Sequence, residues 1–154
     1  MGIGTNYSDV LSNMGPNGIP GASLRGWRAF FPNSNVYGGD IDTRILFQED
    51  RIKTYFCDQL NSQIIQNMWN QIEVDFFDII VDDGLHTFEA NKCFLLASLH
   101  KLHANGIFII EDVITPAISK YKDFLDTIPN INYHLFQLKY NPRLDDNNFI
   151  AIWK

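Results

Sequence analysis

Two apolar runs in this sequence each end in a pair of acidic residues, and a histidine follows the first pair. The runs are residues 76–81 and 107–110. Because a carboxylate buried without a partner costs free energy, two neighbouring strands that both end in acid predict a shared cation site or a polar ligand at one edge of a sheet. The residues that could do this chemistry are Asp82, Asp83, His86, Glu111 and Asp112.

Carboxylates dominate this set, and their oxygens favour Mg²⁺, Ca²⁺ or Mn²⁺ over zinc. The alternative for Asp83 and Asp112 is that each caps the helix that follows it, and one residue can serve both roles. His86 has an ordinary pKa of about 6.5, which suits a general base at neutral pH. A lone histidine is more often a packed or helix-start residue, so the catalytic interpretation depends on the neighbouring acids. The candidate metal ligands are Asp82, Asp83, Glu111 and Asp112.

Acidic residues also end two earlier predicted strands, at Asp40 and Asp58. A single terminal aspartate usually forms a turn, but ligands of open parallel sheets bind beyond the carboxyl ends of the strands, and acids at several such ends favour a binding edge. Asp40 is placed to accept hydrogen bonds from ribose hydroxyls, with Asp42 as a less favoured substitute.

The pair Asp58 and Gln59 offers oxygens that accept a hydrogen bond from the exocyclic amine of a purine. An exposed turn residue is an equally good interpretation of Gln59. Gly2 and Gly4 would let the backbone come close to a ligand, although a Gly-x-Gly pattern alone is a weak signal.

The elements that must position these residues alternate between strands and helices, which predicts an α/β fold with a Rossmann-like, mostly parallel sheet and helices on both faces. The two last strands have no helix between them and are expected to pair antiparallel across a polar turn at 142–147. Residues 1–22 are expected to form a loop, and residues 1–154 a single domain. Strands are predicted at 36–39, 52–57, 76–81, 107–110, 132–138 and 148–153, and helices at 24–31, 43–48, 61–72, 87–103 and 117–126.

Composition excludes several classes of protein. Apolar residues make up 45% of the 154 residues and aromatic residues 14%, which excludes a disordered chain. The net charge of −6 disfavours a nucleic-acid partner. No apolar run reaches the roughly 18 residues of a membrane span, and no export signal is indicated. Cys57 and Cys93 fit no metal-ligand spacing and are interpreted as reduced thiols, which predicts a cytoplasmic protein.

The chain resembles class I S-adenosylmethionine-dependent methyltransferases, and more narrowly the metal-dependent sugar O-methyltransferases of the macrocin and mycinamicin type. The likeness covers about residues 1–113 in the expected order. Its most specific part is Asp-Asp-Gly-x-His with the later Glu-Asp pair, whereas the glycines are not specific. The segments that carry it are 21–28, 36–42, 57–59, 77–86 and 106–112.

This resemblance implies O-methyl transfer from S-adenosylmethionine to a hydroxyl of a sugar or another small polyol, assisted by Mg²⁺. His86 matches the proposed base of the family. The remaining residues would divide between the cofactor (Gly2 and Gly4 at its border, Asp40 at the ribose, Asp58 and Gln59 at the adenine) and the metal (Asp82, Glu111 and Asp112, with Asp83 as a further ligand).

Two departures from the family pattern leave an alternative open. Met1 directly precedes Gly2, where the family has a central strand, so the first strand is expected to be truncated. Leu85 stands where the family more often has a small polar residue. The alternative is a catalytically inactive Rossmann-like binding or assembly module, and a missing sheet element would favour a homo-oligomer. A nicotinamide-dependent dehydrogenase is disfavoured because Gly-x-Gly-x-x-Gly is incomplete.

Overall fold

Parallel strands flanked by helices form the centre of the computed structural model, which describes residues 1–10, 12, 14–138 and 146–154. The helices of this part of the chain are α1 (Ala22–Phe30), α2 (Ser62–Gln71), α3 (Phe88–Ser98) and α4 (Ile118–Leu125). Its strands are β1 (Val36–Asp40), β2 (Gln48–Glu49), β3 (Ile52–Phe56), β4 (Phe77–Asp82), β5 (Leu102–Val113), β6 (Asn132–Phe136) and β7 (Asn148–Trp153).

The strands form two sheets, ordered β1-β3-β2 and β4-β5-β7-β6. β1 runs parallel to β3 and β4 parallel to β5, with Asp40 opposite Phe56 and Asp82 opposite Ile110. The carboxyl ends of each parallel pair therefore lie at one edge. β6 and β7 pair antiparallel, as predicted. The predicted Rossmann-like α/β fold is confirmed.

The first residues of the chain connect the two sheets. The amide of Gly2 donates to the carbonyl oxygen of Gly39 at 2.9 Å, and the carbonyl oxygen of Met1 accepts from the amide of Asp83 at 3.0 Å. Because Gly39 lies near the end of β1 and Asp83 follows β4, these bonds hold the carboxyl ends of both strands beside the N-terminal loop.

A continuous apolar core supports this edge. Phe94 of α3, Phe108 of β5 and Ile150 of β7 are fully buried in it. The indole nitrogen of Trp69 on α2 donates to the hydroxyl of Ser98 at 3.0 Å, which joins α2 to α3 inside the core. A smaller cluster packs α1 against β1 and β3. The sheet that contains these two strands therefore has helices on both of its faces. The members of this second cluster are Ile3, Leu24, Ile45 and Ile52.

Several predicted boundaries are wrong. The predicted helix 87–103 ends at Ser98, and after a 3₁₀ turn β5 begins at Leu102, because that side chain is buried and pairs with Phe77 on β4. β5 also continues to Val113, beyond the predicted end of the strand. The predicted helix 43–48 is a 3₁₀ turn at Thr43–Ile45 followed by β2. Positions 142–145 of the predicted polar turn lie outside the described residues.

Among the residues that the structure describes, no helix combines the length and apolar character needed to cross a membrane.

Candidate functional site

A cavity of about 480 Å³ opens at the carboxyl ends of β1, β3 and β4. Its volume lies in the range that encloses a cofactor-sized ligand. Most residues singled out from the sequence line this one cavity, although they come from five separate parts of the chain. They are Gly2, Gly4, Asp40, Asp58, Gln59, Asp83, His86 and Asp112.

Gly2 forms a wall of the cavity where no larger residue fits. Its φ is 89°, and a Cβ atom added to it would overlap the carbonyl oxygen of Asp83. Glycine adopts this backbone region without strain, so the loop can lie directly against the segment that follows β4. Gly4 also has a positive φ, of 81°.

Asp40 is buried at the end of β1 and holds the N-terminal loop in place. One of its carboxylate oxygens accepts from the amide of Ile3 at 2.8 Å, and the other accepts from the amide of Asp42 at 3.0 Å. A carboxylate has about four acceptor positions, so these two bonds leave capacity for a ligand. Asp40 therefore lies on the cavity wall and fixes the loop that contains both glycines.

The next part of this loop is held by a group of side chains that the sequence did not indicate as a group. We call this group the Arg44 clasp (Thr5, Tyr7, Asp9, Asp42 and Arg44). Arg44 donates to the buried carboxylate of Asp42 at 2.7 Å and to the exposed carboxylate of Asp9 at 2.9 Å, and its guanidinium lies 4.0 Å from the centre of the Tyr7 ring. The guanidinium holds the pKa of Asp42 well below its ordinary value. The Thr5 hydroxyl also donates to Asp42, at 2.7 Å.

Asp58 and Gln59 follow β3 and differ in environment. Asp58 accepts from the amide of Leu60 at 2.9 Å in a local turn. Gln59 is buried, so its interpretation as an exposed turn residue is wrong. Its amide nitrogen donates to Asp82 at 2.6 Å and its amide oxygen accepts from the amide of Leu85 at 2.9 Å. Both ends of the Gln59 side chain are thus engaged within the protein.

Asp83, His86 and Asp112 form one compact cluster, with a ligand atom from each within 4.8 Å of the others. Nε2 of His86 lies 3.1 Å from a carboxylate oxygen of Asp83, and Nδ1 lies 3.5 Å from one of Asp112. His86 and Asp112 have φ values of 55° and 52°. Such backbone strain in non-glycine residues concentrates at functional sites.

Asp112 owes its position to an irregularity in β5. The register of β5 against β7 shifts between Ile110 and Val113, so the strand bulges at the two acidic residues. Bulges redirect side chains and occur often beside active sites. The bulge brings Asp112 beside His86, which follows the neighbouring strand.

Asp82 and Glu111 lie outside the cluster in the part of the chain that the structure describes. Asp82 is fully buried, and its carboxylate accepts from Gln59 and, at 2.9 Å, from Asn91. Burial raises its pKa, and these two bonds oppose that change. The pKa of Glu111 is raised by burial and by the nearby charges of Asp83 and Asp112. Of the four acids predicted as metal ligands, Asp83 and Asp112 therefore lie in the cluster. Glu111 interacts electrostatically with both of them, and Asp82 belongs to a buried hydrogen-bond network.

The electrostatics of the cluster favour a positive charge. The hydrogen bond to Asp83 and the charge of Asp112 raise the pKa of His86, while partial burial lowers it. A raised pKa makes the imidazole a stronger base and keeps more of it protonated while both carboxylates are free. Burial and the negative charge of Asp83 raise the pKa of Asp112, whereas the charge of His86 lowers it. The donor set of two carboxylates and a neighbouring third one fits a hard divalent cation.

Further lining residues were missed because apolar side chains in loops carry no motif. Ile41 and Leu60 line the cavity although about half of each residue is exposed (52% and 56%). Cys57 also lines it, and burial raises the pKa of its thiol to about 12. The cysteine is therefore a neutral apolar surface, and both Cys57 and Cys93 are free, as predicted.

The sequence of the chain is similar to macrolide O-methyltransferases. It is 33% identical over 95 residues to the mycinamicin VI 2''-O-methyltransferase of Micromonospora griseorubida, a match that covers 62% of this chain and 23% of the relative. It is also 33% identical over 95 residues to the demethylmacrocin O-methyltransferase of Streptomyces fradiae, covering 62% of this chain and 24% of the relative. The predicted resemblance to macrocin- and mycinamicin-type O-methyltransferases is confirmed. No protein-family model matches the chain.

A solved structure shows the same fold. The MycE methyltransferase from the mycinamycin biosynthetic pathway, in complex with Mg and SAH, superposes with a TM-score of 0.70 and is 22% identical, covering 99% of this chain and 44% of that chain. The present chain spans about a quarter of the length of the curated relatives it matches. The likeness therefore concerns the Rossmann-like part of such proteins.

Proposed function

We propose that the chain carries out S-adenosylmethionine-dependent O-methyl transfer to a hydroxyl of a sugar or another small polyol, assisted by a divalent metal. The observation that carries this proposal is the single cavity that joins the residues proposed for the cofactor to the cluster of Asp83, His86 and Asp112. Sequence similarity to O-methyltransferases of macrolides supports the same reaction.

In this proposal the cofactor lies along the edge between Gly2 and Asp58. Asp40 accepts hydrogen bonds from the ribose hydroxyls, because two of its acceptor positions are free. Asp58 accepts from the adenine amine with the oxygen that does not bind Leu60. The exposed apolar side chains of Ile41 and Leu60 provide the surface for the flat base.

The metal would be held by Asp83 and Asp112, with Glu111 as an additional carboxylate whose charge interacts with theirs. A bound divalent cation would polarise the acceptor hydroxyl and lower its pKa. The two aspartates fix this position because one follows β4 and the other lies in the bulge of β5.

His86 is proposed to take the proton of the acceptor hydroxyl on an imidazole nitrogen. Asp83 and Asp112 flank its two ring nitrogens and stabilise the imidazolium that forms. Methyl transfer needs the acceptor oxygen in line with the sulfonium methyl, so positioning supplies much of the rate. The cavity serves this purpose because its wall places His86 and the proposed cofactor residues around one space.

Calorimetric titration with S-adenosylmethionine tests the proposal directly. Replacing Asp40 with asparagine is expected to weaken cofactor binding by about 10- to 100-fold, since hydrogen bonds to a charged acceptor contribute about 1.5–3 kcal/mol. The matched control is Asp50→Asn, because Asp50 is 90% exposed and does not line the cavity. Absence of heat from the unmodified chain would contradict the proposal and favour the alternative of a binding or assembly module.

The Arg44 clasp gives a smaller expected effect. Arg44→Met removes the donors to Asp9 and Asp42, and we expect the dissociation constant of S-adenosylmethionine to rise about 5-fold, since losing such a charge pair costs about 1 kcal/mol. Val10 of the fastened loop lines the cavity, so a loosened loop binds the cofactor less well. Arg28→Met is the control, because Arg28 pairs with Glu49 away from the cavity. Equal affinities of the two variants would contradict this role.

A further inference from the structure

A continuous set of buried hydrogen bonds runs from α4 to the loop after β4. The hydroxyl of Tyr121 donates to the amide oxygen of Asn91, and the amide nitrogen of Asn91 donates to Asp82 at 2.9 Å. The amide nitrogen of Gln59 donates to the other oxygen of Asp82 at 2.6 Å. The amide oxygen of Gln59 then accepts from the backbone amide of Leu85 at 2.9 Å, directly before His86.

Asp82 determines the direction of every bond in this set. An ionised carboxylate only accepts hydrogen bonds, whereas an amide can present either its oxygen or its nitrogen. Gln59 and Asn91 must both turn their nitrogens toward Asp82, which leaves their oxygens facing Leu85 and Tyr121. No described buried side-chain nitrogen or oxygen lacks a hydrogen-bond partner, so the set is fully satisfied.

The Gln59 end of the set fixes the backbone at the proposed base. A Cβ atom on Gly84 would overlap the amide oxygen of Gln59, so this amide packs directly against the loop. The bond to the Leu85 amide holds the Gly84–Leu85 peptide, one residue before His86, whose φ of 55° is strained. Strained conformations persist only where the surroundings over-determine them, and Gln59 supplies that constraint.

We propose that Asp82 is a positioning residue rather than a metal ligand: by fixing the orientation of Gln59 it holds the Leu85–His86 backbone and so places the His86 imidazole beside Asp83 and Asp112. This inference rests on the proposed function for the role of His86, but the position of the imidazole can be measured without cofactor or metal.

An exchange of two residues tests the inference. Asp82→Asn replaces an acceptor-only carboxylate with an amide that can present either its oxygen or its nitrogen to Gln59, so the orientation of Gln59 is no longer fixed. The double variant Asp82→Asn/Asn91→Asp restores every bond. The carboxylate introduced at position 91 accepts from Tyr121 and from the amide nitrogen introduced at position 82. The amide oxygen at position 82 then faces Gln59 and accepts from its amide nitrogen. Because Gln59 lines the cavity, we expect the single variant to weaken S-adenosylmethionine binding about 5-fold, the usual effect of one lost hydrogen bond, and the double variant to restore it.

The second readout is the imidazole NMR signal of His86 in the free protein, assigned by comparison with His86→Gln. The inference requires this signal to shift in Asp82→Asn and to return in the double variant, and any loss of Mg²⁺ affinity in Asp82→Asn to be recovered in the double variant. Asp83→Asn is the comparison that should weaken Mg²⁺ binding. Loss of Mg²⁺ binding in Asp82→Asn without recovery in the double variant would show that Asp82 is a ligand and overturn the inference, as would an unchanged His86 signal.

Gln59→Met keeps the test decisive if Asp82→Asn does not fold. It removes the amide that connects Asp82 to Leu85, and the inference requires the His86 signal to shift in this variant as well. An unmodified chain that binds neither S-adenosylmethionine nor Mg²⁺ would refute the proposed function alone, because the His86 signal still decides the role of Asp82.

Discussion

Replacing both Asp83 and Asp112 with asparagine is expected to raise the dissociation constant of Mg²⁺ by at least about 100-fold, beyond the usual effect of losing an outer partner. These are the acids that the structure brings together, and a hard cation requires charged oxygen ligands. His86 remains in this variant but offers only a nitrogen, which Mg²⁺ disfavours. Isothermal titration, or Mn²⁺ titration followed by electron paramagnetic resonance, measures the loss.

The matched control is Asp75→Asn/Asp78→Asn, which changes the net charge by the same amount at exposed positions before and within β4. Retained binding in this control and loss in the cluster variant would assign the metal to the cluster. Equal weakening in both would mean that the ion responds only to overall charge, and the proposed metal site would be wrong.

Replacing His86 with glutamine is expected to slow methyl transfer by about 10²- to 10⁴-fold, the usual contribution of a positioned general base. Cofactor affinity should stay within about 2-fold of the unmodified value, because a base acts on the acceptor hydroxyl and not on the nucleoside. Formation of S-adenosylhomocysteine with a panel of sugar acceptors measures the rate.

The control for this prediction is His103→Gln, because His103 is exposed and lies at the opposite end of β5 from Asp112. A similar loss of rate in both variants would indicate a general defect. A His86 variant that transfers methyl groups at the unmodified rate would show that another group, or water, accepts the proton.

The positions of Asp83, His86 and Asp112 could be anticipated because each follows or ends an apolar run, and parallel strands bring such positions to one edge. The sequence did not indicate which of two adjacent acids faces inward. Asp82 is the last residue of β4 and points into the protein, whereas Asp83 follows the strand and faces the cavity. Alternate residues of a strand face opposite sides, and a single residue of register decides which acid is exposed.

The long-range contacts were not predictable from local patterns. Arg44 and Asp9 are 35 residues apart, and Tyr121 and Asn91 are 30 apart, so no spacing rule connects them. The predicted start of β5 was wrong for a related reason. Leu102 fits the apolar face of a helix and the inward face of a strand equally well, and its pairing with Phe77 decides between them.

Gln59 contacts both halves of the site, since it lines the cavity and also holds the Gly84–Leu85 peptide, one residue before His86. A molecule that binds in the cavity and favours one orientation of this amide also changes how often the His86 imidazole is held beside Asp83 and Asp112. Thermodynamic linkage makes the relation mutual, so the Gln59 orientation that places the imidazole also favours binding of that molecule. In the proposed function, ligand binding in the cavity and the reactivity of His86 would therefore be coupled through a single amide side chain.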